Sequence, residues 1–274
     1  MPGRQEIEFH VIGRLNMDNT IIYTAIAGGY DNLKPPRPGG TEPVPEVGGT
    51  VGRPPSPAPS NPIPDPPRLL AFVDNPVLCG AGGCPGWEVT PMSSICMEPL
   101  MQAKRYKVLA HEVLPAGTGY SLWVDGSIEV AADLRLEDLI EWYLGDHDIA
   151  LFPHPYRDCA YDESYKCGLG GLDDRGVMAR QMNRYRREGY PRDNGLAECS
   201  VILRRHTPDI ARLNEMWWGE INCGSRRDQL SFDYCCWKLG IDYHRMPGHI
   251  CDNPHFVRHR HVRGRTPRCD GRTR

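Results

Sequence analysis

No run of apolar residues in this chain approaches the ~18 needed to cross a bilayer. The opening residues, Met1-Pro-Gly-Arg-Gln-Glu-Ile-Glu8, are charged and lack the apolar stretch of a secretory leader. A cytoplasmic location with no membrane partner is therefore expected. None of the eleven cysteines forms a Cys-x-x-Cys pair: Cys79 and Cys84 are too far apart, and Cys235 and Cys236 adjoin. That spacing argues against structural zinc and leaves buried free thiols as the expectation. The phosphate loop Gly-x-x-x-x-Gly-Lys is absent, as is Gly-x-Gly-x-x-Gly, which removes the main support for a kinase or a dinucleotide enzyme. Excess charge is also lacking, since the formal net charge is only -3. A surface built throughout for polyanions is thereby excluded.

What is present is a chain of 274 residues, 40% hydrophobic and 24% charged, long enough for one generous core. Charge is unevenly spread. Arg258 to Arg274 carries seven arginines against the single acid Asp270, which reads as a solvated basic tail or an arm for nucleic acid. Half of the 26 prolines fall between Lys34 and Pro67, where neither a helix nor a central strand can form. The expected organisation is a single domain over 1–257, interrupted by the proline-rich insertion 34–67, with a tail over 258–274.

Short apolar runs mark strands at Ile21–Ala27, Leu69–Asp74, Tyr120–Asp125, Ile149–Phe152 and Ala197–Leu203. Helical patterns lie between or after them at Glu98–His111, Leu136–Leu144, Asp173–Glu188, from Thr207-Pro208 onward, and Asp228–Leu239. Gly189 and Gly240 stand as stops, and Thr207-Pro208 as a cap with a proline behind it. Strands alternating with helices predict a layered, mostly parallel α/β sheet. Ligands of such sheets sit at the carboxyl ends of the strands. Three of those ends are polar here: Gly28-Gly29-Tyr30-Asp31, Asp74, and Asp125-Gly126-Ser127.

A set of segments resembles the glycosyltransferase-like domain of plant pectin and mucilage proteins and of bacterial and phage relatives. They are Tyr23-Thr-Ala-Ile-Ala-Gly-Gly-Tyr-Asp31, Arg105-Tyr-Lys-Val-Leu-Ala-His111, Ser121-Leu-Trp-Val-Asp-Gly-Ser-Ile128 and Arg227-Asp-Gln-Leu-Ser-Phe232. His154-Pro-Tyr-Arg157, Gln181-Met182, Gly195-Leu-Ala-Glu198, Arg204-Arg-His206 and Trp217-Trp-Gly-Glu220 belong with them. The order is similar, more distantly, to retaining nucleotide-sugar transferases of the GT-A architecture. The resemblance implies a GT-A-like, Rossmann-type sheet with flanking helices and a nucleotide-sugar donor, preferentially a uridine diphosphate sugar. It further implies that Thr24, Ala25 and Asp74 face base and ribose, with Tyr30 and Ser127 also on the donor, and that Arg105 lies near phosphate or sugar.

Asp125 matches the first acid of an Asp-x-Asp metal motif, but Ser127 stands at the second. Either His249 or His244 completes a Mn²⁺ or Mg²⁺ site, or arginine neutralises the phosphates without metal. Glycosyl transfer needs a stabilised diphosphate leaving group and a shielded oxocarbenium-like centre. Glu198, Asp228 and Gln229 are the candidates for the sugar side, against the plainer roles of solvated acid for Glu198 and helix cap for Asp228. His154 and Arg157 either touch donor or acceptor or brace a loop. Trp217 and Trp218 either stack on sugar or fill the core. The acceptor stays open, from polysaccharide to a hydroxylated DNA base reached by the arginine tail. Competing readings are a degenerate nucleotide-sugar-binding scaffold and a metal-dependent nuclease.

Overall fold

The computed structural model describes residues 19–37, 67–74, 84–93 and 97–261. The N-terminal segment, residues 38–66 of the proline-rich insertion, and the tail from 262 onward lie outside the described residues.

Each apolar run read from the sequence forms a strand: β1 (Thr20–Ile26), β2 (Arg68–Val73), β4 (Tyr120–Val124), β6 (Ile149–Pro153) and β7 (Ala197–Arg205). Short strands β3 (Glu88–Pro91), β5 (Ile128–Val130), β8 (His244–Arg245) and β9 (Phe256–Arg258) add to them. Seven strands make one sheet in the order β3-β2-β1-β4-β7-β6-β8, and β5 pairs with β9 in a small second sheet. The main sheet is parallel except that β7 runs against both β4 and β6. This confirms the mixed α/β class and adds one reversed strand.

The reversal has a consequence for the site. The start of β7 lies at the same sheet edge as the carboxyl ends of β1, β2, β4 and β6, so Glu198 pairs with Phe152 at the end of β6. Asp125 N–H donates to the Ser200 carbonyl at 2.8 Å across the same edge.

Side chains alternate across β1, as the pleat demands. Ile21, Tyr23 and Ala25 enter one core layer, with the helices α1 (Pro99–Val108), α4 (Ala160–Gly170), α5 (Arg175–Arg187), α6 (Pro208–Cys223) and α7 (Phe232–Leu239). Ile22 enters the other, beneath α3 (Leu136–Tyr143), β5 and β9. Trp217 is fully buried and Trp218 packs half-buried against the same layer, which gives both to the core.

Three helical expectations change. The stretch Glu98–His111 splits at Leu109, whose backbone (φ -89, ψ 50) leaves the helix before α2 (Ala110–Val113). The last helix does not begin at Asp228; residues Asp228–Leu230 form a separate 3-10 turn before α7. Helix α4 was not legible, because Gly168 and Gly170 depress its propensity. Burial of Ala160, Tyr161 and Cys167 in the core secures it instead.

The caps match their signals. Thr207 accepts from Ile210 N–H at 3.4 Å, and Gly189 and Gly240 sit at φ 86 and 65. Cys159, Cys167, Cys199, Cys235 and Cys236 are buried free thiols, but Cys251 is disulfide-bonded, which departs from an all-thiol chain. No helix among the described residues is long and apolar enough to cross a membrane.

Asp174 caps α5 by accepting from Val177 N–H at 2.7 Å. Asp174→Ala should lower unfolding free energy by about 1 kcal/mol, measured as a shifted urea midpoint with unchanged slope.

Candidate functional site

The carboxyl edge of the sheet collects an ion cluster that spans three elements. Lys107, near the end of α1, points into the sheet edge with only 6% of its side chain exposed. Its Nζ lies 3.1 Å from Asp125 Oδ1, just past β4, and 2.7 Å from Asp228 Oδ2, in the 3-10 turn. Lys104, one helical turn earlier on the same face, reaches Asp228 Oδ1 at 3.2 Å. Trp123 Nε1 donates to Asp125 Oδ1 at 2.8 Å, and Trp217 Nε1 donates to the Asp228 carbonyl at 3.0 Å.

Electrostatics fix the protonation states. Burial pulls the Lys107 pKa down, but Asp125 and then Asp228 outweigh it and hold the ammonium charged. Burial pushes Asp228 up, yet Lys104, Lys107 and Arg227 together drive it well below the ordinary carboxylate range. Lys104 is the strained member. Burial lowers its pKa, and the positive charges of Lys107 and Arg227 oppose the help from Asp228.

A second layer of half-exposed cations surrounds the cluster. Arg227 donates to Gln229 Oε1 at 2.8 Å and lies 4.0 Å from Glu163 of α4. Arg157, after β6, pairs with the same Glu163, and His154 sits between them, 3.4 Å from Arg157 Nη2 and 3.9 Å from Glu163. Arg258, the last residue of β9, lies 3.5 Å from Glu198 Oε1; Glu198 also accepts from the amide and hydroxyl of Ser200.

Residues beyond Arg258 continue across this edge. His259 Nε2 meets Glu129 at 2.6 Å and its N–H donates to the Ser127 carbonyl at 2.8 Å. His261 Nδ1 lies 3.0 Å from both oxygens of Asp31, and its ring is 4.7 Å from that of Tyr30. Among the described residues of the tail, Arg258, His259 and His261 thus meet Glu198, Glu129 and Asp31.

The remaining sequence candidates fall as follows. Thr24 and Ala25 are buried inside β1, and the Thr24 hydroxyl has no hydrogen-bond partner. Asp74 accepts from Gly28 N–H at 2.6 Å and so closes the turn after β1. Gly28 (φ 64) is required there, since a Cβ would stand 2.9 Å from Pro99. Ser127 is buried beneath the 258–261 segment. Arg105 turns away from the cluster to pair with Glu112 at 2.7 Å, leaving Lys104 and Lys107 as the cations that α1 delivers. Their signal was present in the sequence as an i, i+3 pair in the same helix.

His249 lies in a turn of its own, accepting from Cys251 N–H at 3.2 Å. His244 stands in β8, three strands away from β4 in the sheet order, roughly 14 Å at ordinary strand spacing. The donor set around Asp125 does not fit a divalent ion: the cation it meets is Lys107. Among the described residues, Cys159, Asp162 and Asp193 form the group whose ligand atoms converge for a metal, and Asp162 there pairs with Arg192 at 2.7 Å.

An α/β domain with a polar, cation-rimmed carboxyl edge is the class that fold and site define. The chain belongs to the TOD1/MUCI70, glycosyltransferase-like domain family, whose profile matches residues 87–257. Strands β1 and β2 lie outside that stretch yet complete the sheet. A curated relative, "Probable hexosyltransferase MUCI70" of Arabidopsis thaliana, is 29% identical over 136 residues, covering 46% of this chain. The matched part spans 23% of that longer protein. The solved structure of mouse xyloside xylosyltransferase 1 in its apo form superposes with a TM-score of 0.42 at 10% identity, over 83% of this chain and 84% of its own. That likeness is too loose to bear on the site.

Two measurements check the electrostatics. Lys107→Met leaves Asp125 and Asp228 without their shared cation and should destabilise by about 3–5 kcal/mol in urea unfolding. His154 and His206 are both held down to about 4, chiefly by burial; at His154 Glu163 opposes it and neighbouring arginines add to it, and at His206 Arg204 and His111 add to it. Both are neutral when folded, whereas in the unfolded chain they take up protons below about 6.5. Stability should therefore fall as pH drops from about 6.5 to about 4, and imidazole resonances titrating near 4 in NMR would confirm the source.

Proposed function

We propose that this chain is a glycosyltransferase that binds a nucleotide-sugar, with a uridine diphosphate donor, at the carboxyl edge of the sheet. The family supports the reaction class. The observation that carries the reading is the buried Lys107, locked between Asp125 and Asp228, beneath a rim formed by Arg157, Arg227 and Arg258.

Breaking the bond between the anomeric carbon and the diphosphate leaves negative charge on the departing oxygen and positive character on the sugar. The half-exposed arginines of the rim neutralise the diphosphate, and guanidinium suits phosphate oxygens in both charge and shape. Lys107 and Lys104 hold the Asp228 carboxylate ionised and fixed, so it presents negative charge without needing to reorganise. Asp228, Gln229 and Glu198 then line the sugar side. With Asp125 engaged by Lys107, charge neutralisation runs through side chains and needs no divalent ion. The acceptor is a hydroxyl-bearing molecule.

The test is turnover of uridine diphosphate hexoses and pentoses, followed as released nucleotide, with Mn²⁺ and with EDTA. One donor should be consumed in both conditions, with Arg227→Met lowering the rate on the order of 100-fold. An absolute requirement for Mn²⁺ would overturn the side-chain mechanism. Neither turnover nor any donor-induced rise in melting temperature would instead indicate a degenerate scaffold.

A further inference from the structure

Helix α4 presents two faces. Glu163 turns toward the sheet edge, where Arg157 pairs with it. On the other side Tyr161, Ser164, Tyr165, Gly168 and Leu169 recur at the three- and four-residue spacing of a single helix face, and they line an open cleft shared with α5. Its volume is about 260 Å³, below the roughly 300–1,000 Å³ of small-molecule sites. The floor is apolar, since Tyr161, Met178 and Met182 are buried. Gly168 brings the helices close: a Cβ there would stand 3.4 Å from Arg175 Cγ and 3.7 Å from Met178 Cε.

The lip of the cleft is apolar as well. Tyr165 and Leu169 are 66% and 56% exposed, and Leu172, just beyond them, is 47% exposed. Large apolar side chains so close together form a patch rather than scattered exceptions, and such patches mark contact surfaces. Helix α5 supplies charge of one sign: it carries five arginines and no acid. Two of these arginines, Arg175 and Arg186, line the cleft. Arg175 Nε donates to the Gly168 carbonyl at 2.6 Å, while Arg186 lies 4.7 Å over the Tyr161 ring and donates to Asn183 Oδ1 at 2.9 Å. Among the described residues neither meets an acid. Eleven residues apart on one helix, they are separated by about 16 Å along its axis.

We propose that this cleft docks an extended acidic segment of a partner protein, with a bulky apolar side chain seated on the methionine floor between carboxylates that meet Arg175 and Arg186. Thioethers adapt to side chains of varied shape, and a guanidinium matches a carboxylate in both charge and geometry. An extended chain covers the distance between the two arginines in about five residues, which sets the spacing of the carboxylates. A saccharide fits less well. Among the described residues no carboxylate lines the cleft to accept from sugar hydroxyls, and Asn183 Oδ1 is already engaged by Arg186. The surface is separate from the sheet-edge site and does not depend on the proposed glycosyl transfer.

The experiment is fluorescence anisotropy of the full chain with a fluorescein-labelled peptide, Asp-Glu-Leu-Phe-Leu-Pro-Asp-Glu, in low salt. Binding should be saturable and weaken as salt screens the rim charges. Exchanging the peptide's acids for Asn and Gln, or combining Arg175→Gln with Arg186→Gln in the protein, should each weaken it about tenfold. Ala179→Trp, which fills the cleft from α5, should abolish it. All three protein positions are exposed, so an unchanged melting temperature will show that the variants are folded. No saturable binding up to about 1 mM protein, or full affinity in Ala179→Trp, would overturn the proposal. Phosphatidylserine vesicles that bind the protein, displace the peptide and lose their hold in the same variants would overturn it too, because the patch would then be a membrane contact.

Discussion

Lys107 is the residue on which the rest of the site hangs. It reaches the carboxylates of Asp125 and Asp228 together, and thereby ties the end of α1, the end of β4 and the turn before α7 to one point. A buried ion cluster of this kind adds little net stability over a well-packed apolar one, yet removal of a single member leaves the others uncompensated. The three residues must therefore stay together or change together. Trp123 and Trp217 reinforce this by donating to Asp125 and to the backbone of Asp228, so two of the larger core aromatics hold the charges in place.

Reversal of a single strand decides what surrounds that cluster. Had β7 run parallel, Glu198 would lie at the far edge of the sheet, away from Asp125. Antiparallel to β4 and β6, it begins where they end and delivers Glu198 to the same rim as His154 and Arg157. The closing segment completes the rim. Pairing of β9 with β5 aligns Arg258, His259 and His261 with Glu198, Glu129 and Asp31. One arginine and two histidines that read as part of a solvated tail thus meet acids drawn from three other parts of the chain.

Apolar runs and caps are the local signals that survive folding most directly. The β-branched run at Ile21–Ala27, the acid-terminated run at Tyr120–Asp125, and the caps at Thr207 and Gly240 all stand where their chemistry puts them. Other elements leave little local signal. Helix α4 carries glycines that obscure its period, and burial of Ala160, Tyr161 and Cys167 in the core secures it. Strands β5 and β9 are three residues each, too short for alternation to register.

The sequence by itself determined the α/β class, the order of the main strands, the family, and the fact that polar residues gather at strand ends. Each follows from patterns within a few neighbouring residues, because backbone period, capping and turn chemistry act locally. Only the tertiary structure decided that Lys107 rather than Arg105 meets Asp125, and that Asp228 is an ion-cluster member rather than a helix cap. Those outcomes depend on which helix face turns toward the sheet and which distant charges then share one low-dielectric space. No spacing along the chain records that choice.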